Sequence, residues 1–301
     1  MFGLLKASVR GFLDDDCPTM AAALSYYTVF SLPPLLLLIL LLVGALMDPQ
    51  DVQGTLQGQL QSLMGPGAGL AVRSILRHAE LPGSGGLIAT TVGIAALVIG
   101  ATGVFGQLQA ALNRAWEVAP DPSQGGLRNF VMKRVFSFGM ILALAFLLLV
   151  SLVVSAALAA FGSRLAAMLP DGLSAPVLQA INFGLSFAVI TLIFAAIFQF
   201  LPDARIRWRD VWVGAVATAL LFVIGKTLIG LYLGRSNPGE AFGAAGSLAL
   251  LLVWVYYSSM IVLFGAEFTQ AWAERRGGGV EPEPGAVRAV REKHLEPAPR
   301  P

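Results

Sequence analysis

The sequence is poor in the residues that most protein chemistry uses. Among 301 residues there is one cysteine, Cys17, and only two histidines, His78 and His294. A lone cysteine excludes an internal disulfide framework and a thiolate metal cluster, and two distant histidines exclude a His-rich metal site. Charge is scarce too. Asp, Glu, Lys and Arg make up 13% of the chain, about half the fraction of an ordinary globular domain. That excludes a plain soluble protein. The 20 basic and 18 acidic side chains leave a net charge of +2, too balanced for the basic face of a nucleic-acid-binding protein.

Catalytic motifs are missing as well. No Gly-x-Ser-x-Gly, no His-Glu-x-x-His and no acidic group suited to two divalent metals occurs. Gly225-Lys226-Thr227 imitates the end of a phosphate-binding loop, but Leu220 stands where the first glycine belongs, and the segment is apolar with no strand before it. Asp14, Asp15 and Asp16 are adjacent, so on a helix they point in different directions; they suit a solvated helix start better than a metal site. The expectation is a protein that is not an enzyme and has no catalytic residue, metal or cofactor.

What the sequence does have is long apolar runs. Six are of the roughly 20 residues that a helix needs to cross a bilayer: Tyr26 to Met47, Leu87 to Leu108, Val135 to Phe161, Val177 to Phe200, Val211 to Leu233 and Gly246 to Ala266. Lys226 is the one charged side chain inside them. Strand-like alternation of an outer-membrane barrel is absent. The fold class is therefore all-α, a polytopic membrane protein with six transmembrane helices. Asp14 to Asp16 also argue against a secretion signal, which carries positive charge before its apolar stretch.

Basic residues sort the loops. Lys6 and Arg10 precede span one; Arg114, Arg128, Lys133 and Arg134 follow span two; Arg205, Arg207 and Arg209 follow span four; six more lie in the C-terminal tail. Only Arg73, Arg77, Arg164 and Arg235 fall on the other side. Cytoplasmic loops retain the positive excess, so both termini are expected in the cytoplasm. Three regions follow: an N-terminal cytoplasmic segment, 1–20, with an amphipathic lead-in helix; a six-helix transmembrane domain, 21–275; and a cytoplasmic tail, 276–301. The tail's Gly277-Gly278-Gly279 and its prolines predict disorder, with a helical turn or two near Val287 to Glu296. In the outer loop, 48–86, Val52, Leu56, Leu60 and Leu63 recur at helical spacing. They predict an amphipathic helix, either a lid over a cavity or a cover for the bundle. A second short helix is expected from Leu70 to Glu80.

Polar residues within the spans are the candidate site. Pro33-Pro34 should bend span one near Ser31. Gly93, Gly100, Gly103 and Gly106 give span two a small-residue seam of the kind that lets membrane helices approach closely. Depth along the helices puts Lys226, Asn182 and Glu240 at one level in the outer half, and Glu267, Tyr26, Gln107, Asn113 and Arg114 at the cytoplasmic face. Glu267 is paired with Arg114, and Lys226 with Glu240 or Asn182. An ionisable group within a span is a functional candidate; for Lys226 the alternative is a side chain that merely snorkels to the outer interface.

Five blocks carry a family resemblance. They are Ala21-Ala22-Ala23-Leu24-Ser25-Tyr26-Tyr27-Thr28-Val29-Phe30-Ser31-Leu32-Pro33-Pro34, Leu112-Asn113-Arg114-Ala115-Trp116, Phe200-Leu201-Pro202, Gly243-Ala244-Ala245-Gly246-Ser247, and Trp254-Val255-Tyr256-Tyr257-Ser258-Ser259 with Gly265-Ala266-Glu267. In order and spacing they resemble the YihY/virulence factor BrkB family of bacterial inner-membrane proteins. The resemblance implies a six-helix inner-membrane protein of unsettled biochemical role, in a family whose members often carry the label ribonuclease BN. No metal cage, acid and base pair or basic groove in this sequence supports that label. Three functions stay open: a transporter or flippase-like translocator of a lipid or other amphiphile, a non-catalytic membrane scaffold or assembly factor, and an enzyme acting on a membrane substrate, which the missing catalytic motifs disfavour. The expected partners are membrane lipids and, for the first, an amphiphilic substrate; no nucleic acid is expected.

Overall fold

Apolar runs too long to bury in water become helices, because a helix satisfies every backbone polar group within the segment. A computed structural model describes residues 2–44, 86–124, 174–236 and 246–289, with Val135 and Gly139. Six α-helices occur among the described residues: α1 (Phe2–Asp14), α2 (Cys17–Gly44), α3 (Gly86–Ala115), α4 (Ser174–Phe200), α5 (Trp208–Ser236) and α6 (Gly246–Arg275). Four contain stretches long and apolar enough to cross a membrane: Cys17–Leu37, Phe183–Phe200, Trp208–Leu231 and Leu248–Arg275. These fall on the expected spans one, four, five and six, and α3 falls on span two. Span three apart from Val135 and Gly139, the outer loop up to its last residue and the helices expected there lie outside the described residues.

Helix ends follow local chemistry. A turn at Asp15 and Asp16 separates α1 from α2, with Asp16 at φ 53°; aspartate is among the residues that tolerate this left-handed region. Pro18 sits in the first turn of α2, where its missing N–H costs nothing. Pro33 and Pro34 lie within α2, and the helix continues through them to Gly44. α4 stops at Phe200, ahead of Pro202. Beyond α6, Gly277 takes φ 70° and Gly278 N–H bonds back to the Ala273 carbonyl, a left-handed helix stop.

α2 packs along α3 and α6, α5 packs between α4 and α6, and α1 lies along the last turns of α6. The seams are built from small residues, as the glycines of span two suggested. A methyl group added at Gly100 would press on Pro34, and one at Gly103 would meet the Ser31 hydroxyl. At the α5–α6 seam two Gly-x-x-x-Thr pairs oppose each other. Gly214 faces Thr269, and Gly265 faces Thr218. Each threonine turns its hydroxyl onto its own helix, Thr218 to the Gly214 carbonyl and Thr269 to the Gly265 carbonyl, both at 2.7 Å. The main core lies at one end of the bundle, around Trp116, Phe198, Leu112, Val211 and Leu263.

That end also carries α1 and residues 276–289, and this described part of the tail departs from expectation. Two short strands, Glu281–Pro282 and Ala286–Arg288, form where disorder is expected. β1 (Val118–Pro120) pairs antiparallel with β4 (Ala286–Arg288), and β2 (Ala204–Arg205) with β3 (Glu281–Pro282). Composition misled because the strands find partners in distant loops, and those loops supply backbone hydrogen bonds that a tail alone would lack. Val287 stands in β4, not in a helical turn. The Ala289 N–H also bonds to the Glu117 carbonyl at 2.8 Å.

Candidate functional site

The site is assembled where α1 meets α6. Glu267 is seven residues from Glu274 on α6 and is 3% exposed; Asp15 is 8% exposed. Glu267 and Asp15 line the same cleft. Cys17, fully buried at the start of α2, directs its thiol at Glu267 Oε1 across 3.7 Å. Gly11 makes the approach possible, since a methyl group there would run into the Glu267 carboxylate. A cleft of about 320 Å³ opens on the pair and is lined further by Asp14, Glu117, Gln270 and Glu274. Trp116 closes the other side: its indole N–H donates to the carbonyl of Ala266, next to Glu267, at 3.0 Å, and its ring packs edge-on against Phe198.

The other residues expected beside Glu267 separate into three places. Arg114 does not pair with Glu267; its guanidinium binds Asp16 at 2.8 Å in an exposed ion pair. Sequence depth gives a residue's height on a helix but not the direction it faces, and Arg114 faces the α1–α2 turn from outside. Asp15 then points inward. The three aspartates are therefore not one solvated group: Asp16 stays exposed and Asp15 is buried at the cleft that holds Glu267.

Asn113 is buried and clamps Asp203. Its Nδ2 donates to Asp203 Oδ2 at 2.8 Å, and its Oδ1 accepts the Asp203 backbone N–H at 2.8 Å. Gln109 donates to the other carboxylate oxygen at 3.0 Å. The Asp203 carbonyl in turn accepts the Glu283 N–H at 3.0 Å, so α3, the loop after α4 and the tail strands are tied at one residue. Tyr26 is far from this network in character: it is 59% exposed and packs on Phe30 and Tyr27, an aromatic patch on the outside of α2.

Lys226 lies in α5 with its side chain half-buried. Asn182 is in the neighbouring helix α4 with its side chain outside the described residues, and Glu240 is outside them altogether. Sequence reasoning missed Asp15, Cys17 and Asp203. Asp203 follows Pro202, and a polar residue next to a helix-stopping proline at a span's end was the available signal. Among the described residues no three His, Cys, Asp or Glu side chains are grouped to hold a metal.

The sequence profile described as virulence factor BrkB matches residues 8–290. A protein named as ribonuclease-like, YfkH of Bacillus subtilis, is 26% identical over 264 residues, which cover 85% of this chain and 90% of that one. A UPF0761 membrane protein of Pseudomonas aeruginosa is 30% identical over 259 residues, 85% of this chain and 59% of the relative. Another from Psychromonas ingrahamii is 27% identical, covering 86% and 84%. The chain thus spans somewhat over half the length of the Pseudomonas proteins it matches. No solved structure matches it. With its long apolar helices and a profile match over nearly its whole length, the chain is an integral membrane protein of the BrkB family.

Proposed function

We propose that the protein is a non-enzymatic translocator of a lipid or other amphiphile in a bacterial inner membrane, with six spans and both termini in the cytoplasm. One observation carries the reading: Asp15 and Glu267, two buried acids that line one polar cleft at the end of an apolar helix. Burying two carboxyl groups at one cleft is expensive, and a purely structural bundle gains nothing from it that an apolar pair would not supply. In a translocator the pair offers a polar contact for a head group entering from the cleft, with membrane lipids as partners. Lys226, further along α5, gives a second polar group at another depth.

Direct assay tests this. The full chain is reconstituted in phosphatidylcholine vesicles with a head-group-labelled phospholipid, and an impermeant reductant reads the label that reaches the outer leaflet. Protein-dependent transfer supports translocation; transfer no faster than in empty vesicles counts against it.

A second reading is favoured by the α5–α6 seam. Opposed Gly214–Thr269 and Gly265–Thr218 contacts bring the two helices close, as a rigid scaffold would need. In that case the helices stay in this packing throughout function, and locking the seam with a cross-link leaves the cellular role intact.

A further inference from the structure

Helix α1 has two faces. Leu4, Ser8, Gly11 and Asp15 turn toward α6. On the opposite side Phe2, Leu5, Val9 and Leu13 are exposed, at 86, 48, 47 and 61%. Their spacing of three and four places them in one stripe about 16 Å long, with Lys6 and Arg10 exposed along its flank. Arg10 makes only a loose exposed contact of 3.4 Å with Asp14, which leaves most of its N–H groups to other acceptors.

The packing places this stripe relative to a bilayer. Gly11 lies beside Glu267 and Gly3 beside Arg275, so α1 runs antiparallel to the last turns of α6. The contact of Gly214 with Thr269 puts the start of α5 beside the same turns. There Trp208 and Trp212 are 48 and 41% exposed, and Trp208 packs edge-on against exposed Phe200. Exposed tryptophans at the end of an apolar helix, next to Arg207 and Arg209, have the composition of a membrane–water boundary. α1 is at that level.

We propose that α1 seats its Phe2, Leu5, Val9 and Leu13 stripe in the lipid of the leaflet at the Trp208 end of the bundle and that Lys6 and Arg10 bind the phosphates of anionic lipids there. The occupant is an anionic lipid surface and not a second copy of the chain. The argument is charge complementarity: two cations flank the stripe on its exposed side, and apolar residues beside basic ones suit a leaflet of negative head groups. The anchor also fixes Gly11, and with it Asp15, against Glu267. The helix would sit this way in a scaffold as in a translocator.

Spin labels on Leu5→Cys and Val9→Cys test the seat, read against the unsubstituted protein, whose only cysteine is buried. The full chain is reconstituted in phosphatidylcholine vesicles with and without phosphatidylglycerol. The expected result is labels accessible to oxygen and shielded from a water-soluble nickel reagent, with the shielding increased by phosphatidylglycerol and that increase lost in Lys6→Glu with Arg10→Glu. Labels open to the nickel reagent in both vesicles would overturn the proposal. So would labels shielded from both reagents, as a second copy or another protein would shield them, or shielding that ignores phosphatidylglycerol.

Discussion

Arg114 binds Asp16 at 2.8 Å, which leaves Glu267 to the Cys17 thiol and to a cleft it shares with Asp15. Successive residues around a tight turn point apart, so the three aspartates at the α1–α2 junction divide their work. Asp16 takes Arg114 and Asp14 takes Arg10 outside the bundle, while Asp15 is buried at the cleft that holds Glu267. A carboxyl pair is thereby kept away from the arginine that would have neutralised it.

This division gives Arg114 a small share in stability. The pair with Asp16 is exposed, 44% and 62%, and exposed ion pairs contribute about 0–1 kcal/mol. Arg114→Gln should leave thermal unfolding in detergent almost unchanged and should not alter the Glu267 site. A large loss would mean that Arg114 reaches Glu267 after all.

Asn113 should behave in the opposite way. Asn113→Leu removes both of its side-chain bonds to Asp203 and leaves the half-buried Asp203 short of partners, a cost of about 1–3 kcal/mol. Because the Asp203 carbonyl holds Glu283, the damage should spread to the tail. Hydrogen exchange at 281–288 should rise in the variant; unchanged protection there would show that the strands hold themselves.

The helices and one acid of the site are legible in the sequence; the rest depends on direction and on partners far along the chain. Apolar runs announce α2 to α6 because bilayer thickness sets their length. Glu267 stands out as the acid that ends span six. Its partner does not, since hydropathy gives height on a helix while azimuth decides between Asp15 and Arg114. Cys17 reads as an unremarkable small residue until α6 packs beside it. The tail reads as disorder because Gly277-Gly278-Gly279 and its prolines favour no local structure, and its strands exist through pairing with Val118–Pro120 and Ala204–Arg205.

At the α5–α6 seam, space is the controlling quantity. Gly214→Ala would place a methyl group against Thr269, and Gly265→Ala against Thr218; overpacking of this kind costs about 1–3 kcal/mol. Thr269→Ala should recover part of the loss in Gly214→Ala but none of the loss in Gly265→Ala. Equal recovery of both would contradict the register.

Lys226 is half-buried in α5, and Lys226→Met keeps its length while removing its charge. If the ammonium meets a substrate head group, the variant should insert and fold normally yet lose lipid transfer. Normal transfer would reduce Lys226 to a snorkelling side chain.

The most direct measurement compares lipid transfer by the full chain with that of Glu267→Gln, Asp15→Asn and Arg114→Gln in the same vesicles, each first shown to be monodisperse. Loss of transfer in Glu267→Gln and in Asp15→Asn, no further loss in the double variant, and near-normal transfer in Arg114→Gln is the result expected if the buried carboxyl pair is the working site. Full transfer by folded Glu267→Gln would contradict it.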